Sequence, residues 1–311
     1  MRSAVTIIGP TAVGKSELAL ALAEEFGGEI VSADSRQVYR FMDIGTAKPG
    51  PQQRIRVTHH LIDLIDPDQE FSLALYHRLA LQAIEAILER RHLPLLVGGS
   101  GLYVWSVLEG WKIPEVPPDQ ALRRHLESRA QSEGGLSLYQ ELQALDPEAA
   151  RQIDWRNLRR VIRALEVCQT TGVPFSQLQN KRPPDFTALI IGLTTDRKDL
   201  YRRIDLRVDR MIKQGLVAEI MGLLDKGYGL DLPAMSSLGY QQIGLFLGGS
   251  LTLDEAIQQI KFETHRFARH QYAWFRANDE RIHWFDVRQD FVSQAIELVK
   301  DFAWPAERVK V

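Results

Sequence analysis

The sequence predicts an α/β fold: a parallel sheet flanked by helices, interrupted by an all-helical insertion. Three observations carry this. Val5-Thr6-Ile7-Ile8 reads as a buried strand, followed by a glycine loop and then apolar residues at helical spacing (Leu18, Leu22, Phe26). Further short apolar runs at residues 29–33, 93–97 and 189–193 alternate with helical patterns, which suits parallel strands joined by helices. From Asp119 to about Lys181 the pattern is helical only, between Pro114, Pro117 and Pro118 on one side and Pro183 and Pro184 on the other. These bounds give a discontinuous core of residues 1–116 and 185–311 and an insertion of residues 117–184.

The loop is Gly9-Pro10-Thr11-Ala12-Val13-Gly14-Lys15-Ser16, a full match to G-x-x-x-x-G-K-[ST]. Strand, loop and helix are its proper context, so the core is expected to be P-loop NTPase-like. Its backbone amides and the helix N-terminus favour phosphate oxygens, Lys15 reaches the outer phosphate, and Ser16 ligates Mg²⁺. Taken alone, the motif marks a nucleotide-binding or ATP-binding protein.

The strand at residues 29–33 delivers Asp34-Ser35-Arg36-Gln37. Ligands gather at the carboxyl ends of parallel strands, which places Asp34 beside the loop. The alternative is a helix N-cap, a favoured place for Asp. Residues 43–50 form a polar, glycine-rich loop. His59-His60 and Asp63 invite a metal reading, but no third nitrogen or sulfur ligand lies at a sensible spacing. Ser72 to Arg91 reads as an amphipathic helix. The strand at residues 93–97 ends in Gly98-Gly99-Ser100-Gly101, where a metal-binding aspartate would often stand. These glycines let another molecule approach closely, as the lining of a channel.

Arg123 and Arg124 open the insertion, and Arg156, Arg159, Arg160 and Arg163 share a helical face. Glu166 is the only acid between Arg156 and Thr171, so this cluster reads as under-neutralised. Leu200 to Leu224 is expected as one helix carrying Arg203, Arg207 and Arg210. Thr252 and Glu255 form a capping box for a helix reaching about Arg276. Its buried stripe is Ile257, Ile260, Phe267, Ala268 and Phe275. Beside it run Lys261, His265, Arg269, Tyr272 and Arg276, a basic and aromatic pattern suited to nucleic acid. Residues 283–286 form a last short strand.

The formal net charge of −2 over 311 residues excludes a global basic field, so any nucleic-acid surface is a local patch. The single cysteine, Cys168, excludes an internal disulfide framework and reads as a small core residue. No apolar run reaches membrane-spanning length, so a cytoplasmic enzyme is expected, and nothing demands more than a monomer.

Seven segments together resemble the bacterial tRNA dimethylallyltransferases, also called tRNA isopentenyltransferases. They are GPTAVGKS (9–16), VSADSRQVYRFMDIGTAKP (31–49), HHLIDLIDP (59–67), LLVGGSGLY (95–103), RRVIRALEV (159–167), LGYQQ (238–242) and THRFARHQYAWFR (264–276). The resemblance implies transfer of a dimethylallyl group from dimethylallyl diphosphate to the exocyclic amine of adenosine 37 of tRNA, next to the anticodon, releasing diphosphate. It implies that residues 9–16 bind diphosphate rather than ATP, that Arg207 helps hold it, and that Asp34 is the general base. It implies tRNA contacts at Asp34, Ser35, Arg36, Gln37, Ser100, Arg123, Arg159, Arg160, Val161, Ile162 and Arg163. Ser236 stands where many relatives carry glutamine or arginine. Three other readings stay open on the residues alone: a small-molecule kinase, a nucleotide-dependent nucleic-acid switch, and prenyl transfer to a free adenine nucleotide.

Overall fold

A computed structural model describes residues 2–114, 116–178 and 181–303; Glu115 of the proline-rich linker lies outside them. The chain divides into two compact units, Met1–Leu108 with Asp185–Val311, and Glu109–Pro184. Residues 109–116, expected in the core, group with the helical unit. The Arg182 amide donates to the Gly110 carbonyl, and Trp111 bridges antiparallel to Lys181.

In the first unit, β1 (Ser3–Ile8) is buried throughout and feeds the glycine loop. α1 (Lys15–Phe26) starts at Gly14, left-handed at φ 116°, and stops at Gly27, left-handed at φ 60°. β2 (Gly28–Ala33) leads into a long connection holding α2 (Pro51–Arg56), and β3 (His59–His60) follows. The Ser72 hydroxyl caps α3 (Leu73–Glu89), then come β4 (Leu93–Gly98) and α4 (Gly101–Leu108).

The helical unit contains α5 (Gln120–Glu133), α6 (Gly135–Leu145), α7 (Pro147–Gln152), α8 (Leu158–Thr171) and α9 (Phe175–Leu178). Its own core joins Leu126, Leu138, Leu142, Val161 and Leu165. Cys168 is a buried free thiol on α8.

The first unit resumes with β5 (Thr187–Thr194). The single helix expected over residues 200–224 is two, α10 (Arg197–Lys213) and α11 (Leu216–Asp225). Gly215 at φ 101° breaks it, a conformation that glycine adopts freely. Then come α12 (Tyr240–Leu247), α13 (Leu253–Trp274), β6 (Ile282–Asp286) and α14 (Phe291–Ala303). The Thr252–Glu255 capping box is present on α13. Phe267, expected in the buried stripe of α13, is 44% exposed, whereas Ile260, Ala268 and Phe275 are buried as expected and Ala256 and Gln271 join them.

The described strands make one parallel sheet in the order β3-β2-β4-β1-β5-β6. Parallel pairing brings every strand's carboxyl end to one edge. The glycine loop, Asp34, residues 98–101 and the N-termini of α1, α3, α4 and α10 therefore share that edge.

Candidate active site

Glycine is required at the mouth of the loop. Gly9 has φ 142°, and a Cβ there would lie 2.5 Å from the Leu193 carbonyl oxygen of β5. Ala12 is also left-handed, at φ 64°, a strained state that non-glycine residues hold mostly at functional sites. Gly14 has no side chain to cap α1, so the first amides of that helix remain available to an anion.

Lys15 folds back over the loop, its Nζ donating to the carbonyls of Gly9 (3.0 Å) and Pro10 (2.7 Å). Burial, reinforced by the charge of Arg207, pushes its pKa down to about 7, against an opposing pull from Asp34. Arg207 on α10 is shifted the same way, by burial first and by Arg210, again opposed by Asp34. Two desolvated cations and one carboxylate thus feel one another across the carboxyl edge.

Asp34 makes a turn, not the helix cap that was the alternative: its Oδ1 accepts the Arg36 amide at 2.8 Å, and no helix begins before Pro51. The Ser35 amide donates to Ser100 Oγ at 3.3 Å, tying this turn to the end of β4. Arg36 donates from Nη1 to the Pro233 carbonyl, and Ser236 Oγ donates to the same oxygen. Gln37, expected to contact tRNA, spends its amide inside the fold. It accepts from Ser32 Oγ at 2.9 Å and donates to the carbonyls of Thr46 and Ala47. Tyr76 of α3 and Tyr103 of α4 stack beside the site, with centroids 3.8 Å apart, and both phenols feel the Asp34 charge.

The glycines expected to line a channel are filled by the chain itself. A Cβ at Gly98 would strike Ala33, one at Gly99 would strike Gln271 Nε2, and one at Gly101 would strike the Trp274 ring. Gln271, which the sequence did not single out, joins the loop to the end of β4. Its Oε1 accepts the Thr11 amide at 2.8 Å and its Nε2 donates to the Gly99 carbonyl at 3.0 Å. The Thr11 amide, expected to face diphosphate, is therefore occupied. A glutamine in line with the apolar face of an amphipathic helix was the available signal.

Part of the basic stripe expected on α13 is taken up inside the fold, while Arg269 and Arg276 are exposed. Lys261 pairs with Asp209 and His265 with Asp205, while His265 also stacks on Tyr201. Tyr272 is hydrogen-bonded to Thr194. The histidine pair is likewise taken up: His59 contacts the Val57 carbonyl and His60 the Glu29 carboxylate. No metal-holding group of three His, Cys, Asp or Glu exists among the described residues.

In the helical unit, the fully buried Glu166 carboxylate is shared by two arginines. Arg123 grips it through Nε and Nη2, and Arg163 through Nη1. Arg163 also donates to the carbonyls of Pro114 and Val116. One carboxylate balances only one of these two charges, so the cluster keeps a net positive charge although both side chains are tied into the unit. Val161 and Ile162, expected at a tRNA surface, are 0% and 5% exposed in the helical core, because α8 turns that face inward. Arg159 and Arg160 are exposed, and neither forms an ion pair among the described residues.

A full phosphate-loop match at the carboxyl edge of a helix-flanked parallel sheet defines the P-loop-like class of α/β proteins. The model of the IPP transferase family matches residues 37–278, and that of isopentenyl transferases matches residues 2–63. The tRNA dimethylallyltransferase of Dehalococcoides mccartyi is 50% identical over 298 residues, covering 96% of this chain and 92% of that one. That of Thermomicrobium roseum is 52% identical over 285 residues, covering 92% and 86%. The crystal structure of the full-length tRNA isopentenylpyrophosphate transferase from Bacillus halodurans matches with TM-score 0.70 and 41% identity, covering 97% of this chain and 96% of that one. A eukaryotic dimethylallyltransferase acting on tRNA matches with TM-score 0.82 and 25% identity, covering 97% and 80%. The chain belongs to the IPP transferase family.

Proposed function

We propose that this protein transfers the dimethylallyl group of dimethylallyl diphosphate to the exocyclic amine of adenosine 37 in tRNA. The observation that carries the reading is the phosphate loop after β1 and the Asp34 turn after β2, held at the same carboxyl edge of one parallel sheet. The adenine amine is a weak nucleophile, because its lone pair is delocalised into the ring. The Asp34 carboxylate takes its proton as the nitrogen attacks the first carbon of the prenyl group. The carbon–oxygen bond to diphosphate breaks, and the electron pair leaves with that oxygen. Lys15, Arg207 and the loop amides stabilise the departing charge.

The exposed Ser16 hydroxyl at the start of α1 fits a hard cation such as Mg²⁺, which takes its remaining ligands from substrate oxygens and water. When bound, the ion would neutralise charge on the leaving diphosphate. The target base must leave its stack to reach a buried diphosphate site. Arg159 and Arg160 on the helical unit supply free positive charge for the RNA backbone.

The deciding assay offers labelled dimethylallyl diphosphate and Mg²⁺ with either an anticodon stem-loop or AMP. Label is expected in the stem-loop and not in AMP, without added ATP. Transfer that strictly requires ATP would return the kinase reading.

A further inference from the structure

A side chain from far along the sequence links the diphosphate loop to the Asp34 turn. Gln271, near the end of α13, is 4% exposed. It bridges Thr11 of the loop to Gly99 beyond β4. The next residue, Ser100, accepts the Ser35 amide through Oγ and donates its own amide to the Ala33 carbonyl. The path from the diphosphate loop to the residues flanking Asp34 is continuous.

We propose that Gln271 is a positioning residue that sets the separation between bound diphosphate and the Asp34 carboxylate. The proposal rests on the prenyl-transfer reading above. A primary amide suits the task because it presents one acceptor and a donor pair on a single rigid plane. The reversed amide would set N–H against the Thr11 N–H and oxygen against the Gly99 carbonyl, so the network fixes its orientation. Gly99 is the socket: a Cβ there would lie 2.1 Å from Gln271 Nε2. In-line transfer needs amine, carbon and leaving oxygen aligned, and a misplacement of about 1 Å can cost roughly a hundredfold in rate. Without the bridge, the Thr11 amide and the Gly99 carbonyl each lose a partner, and the loop relaxes away from the Asp34 turn.

The test compares wild type, Gln271→Ala, Gly99→Ala and the double variant. Calorimetry with inorganic diphosphate and Mg²⁺ reads the loop, and prenyl transfer to an anticodon stem-loop reads the alignment. Each single variant is expected to lower kcat by roughly ten- to a hundredfold and to weaken diphosphate binding by about three- to tenfold. Stem-loop affinity should not change. The double variant should be no worse than Gln271→Ala, because the methyl group added by Gly99→Ala occupies the space the amide vacates. Unchanged diphosphate affinity and kcat with a lowered melting temperature would reduce Gln271 to packing and overturn the proposal. Additive losses in the double variant would overturn it too. If wild type transfers no prenyl group, the functional reading fails by itself, and diphosphate binding alone decides: weakened in both single variants upholds the positioning role, unchanged overturns it.

Discussion

At the scale of single residues, the proposed reaction is divided between Lys15 and Asp34. The pKa of Lys15 is pushed down to about 7 by burial and by Arg207, and its Nζ rests on two loop carbonyls. In the proposed reaction a diphosphate replaces those carbonyls with negatively charged oxygens. Lys15→Ala is expected to weaken diphosphate binding by roughly ten- to a hundredfold, the worth of a charged hydrogen bond, as titrated with inorganic diphosphate. Binding at wild-type strength would place the anion elsewhere. Asp34→Ala removes the proton acceptor and leaves the cradle whole. Its transfer rate should fall by about 10²–10⁴-fold, while gel-shift affinity for the stem-loop persists. Near-normal turnover would remove Asp34 from the base role.

Among elements, the amino ends of the sheet strands show how an ion cluster secures register. Glu29, the second residue of β2, is almost fully buried. It receives His60 from β3 at 2.6 Å, His92 from the turn before β4 at 2.7 Å, and Arg90 from the end of α3 through two nitrogens. Burial alone would raise the Glu29 carboxyl. The hydrogen bonds from His60, His92 and Arg90 outweigh it and hold the group at about 2, against an ordinary 4.5. The unfolded chain therefore binds more protons than the fold between those values, and stability falls as pH drops through the window. Thermal denaturation from about pH 6 downward should show this loss below the ordinary carboxyl value of 4.5, and Glu29→Gln should flatten it. A parallel slope in the variant would mean that other carboxylates carry the acid response. On the site side, Glu219 of α11 plays a similar local role. It accepts the amides of Asp43, Ile44 and Gly45 and the Tyr240 hydroxyl, which orders the connection after β2.

For the molecule as a whole, the arginines of the helical unit separate into two kinds. Arg123 and Arg163 neutralise buried Glu166, so they hold the unit together. Arg159 and Arg160 are exposed and unpaired among the described residues, so they are free to meet phosphate. Arg160→Ala should lower the slope of log affinity against log salt by about 0.7–0.9 for a stem-loop, the signature of one lost phosphate contact. Arg163→Ala should keep the slope and cost about 1–3 kcal/mol of stability, because a buried carboxylate loses a partner. Reversed outcomes in the two variants would exchange their roles.

What the sequence determined by itself was whatever rests on neighbours a few residues apart. The strand–loop–helix opening, the capping box at Thr252 and the alternation of buried strands with amphipathic helices all follow from local period and turn chemistry. The placing of Asp34 at a strand end follows from the same logic, since parallel sheets collect their ligands there. The tertiary structure alone decided the roles of charged and small residues. Nothing near Arg123 announces Glu166, 43 positions away. Nothing near Gly99 announces Gln271, 172 positions away. Lys261 and His265 looked like a nucleic-acid face until α10 brought Asp209 and Asp205 opposite them. A charge or a missing side chain acquires its meaning from whatever faces it, and that partner is chosen by long-range packing rather than by the local pattern.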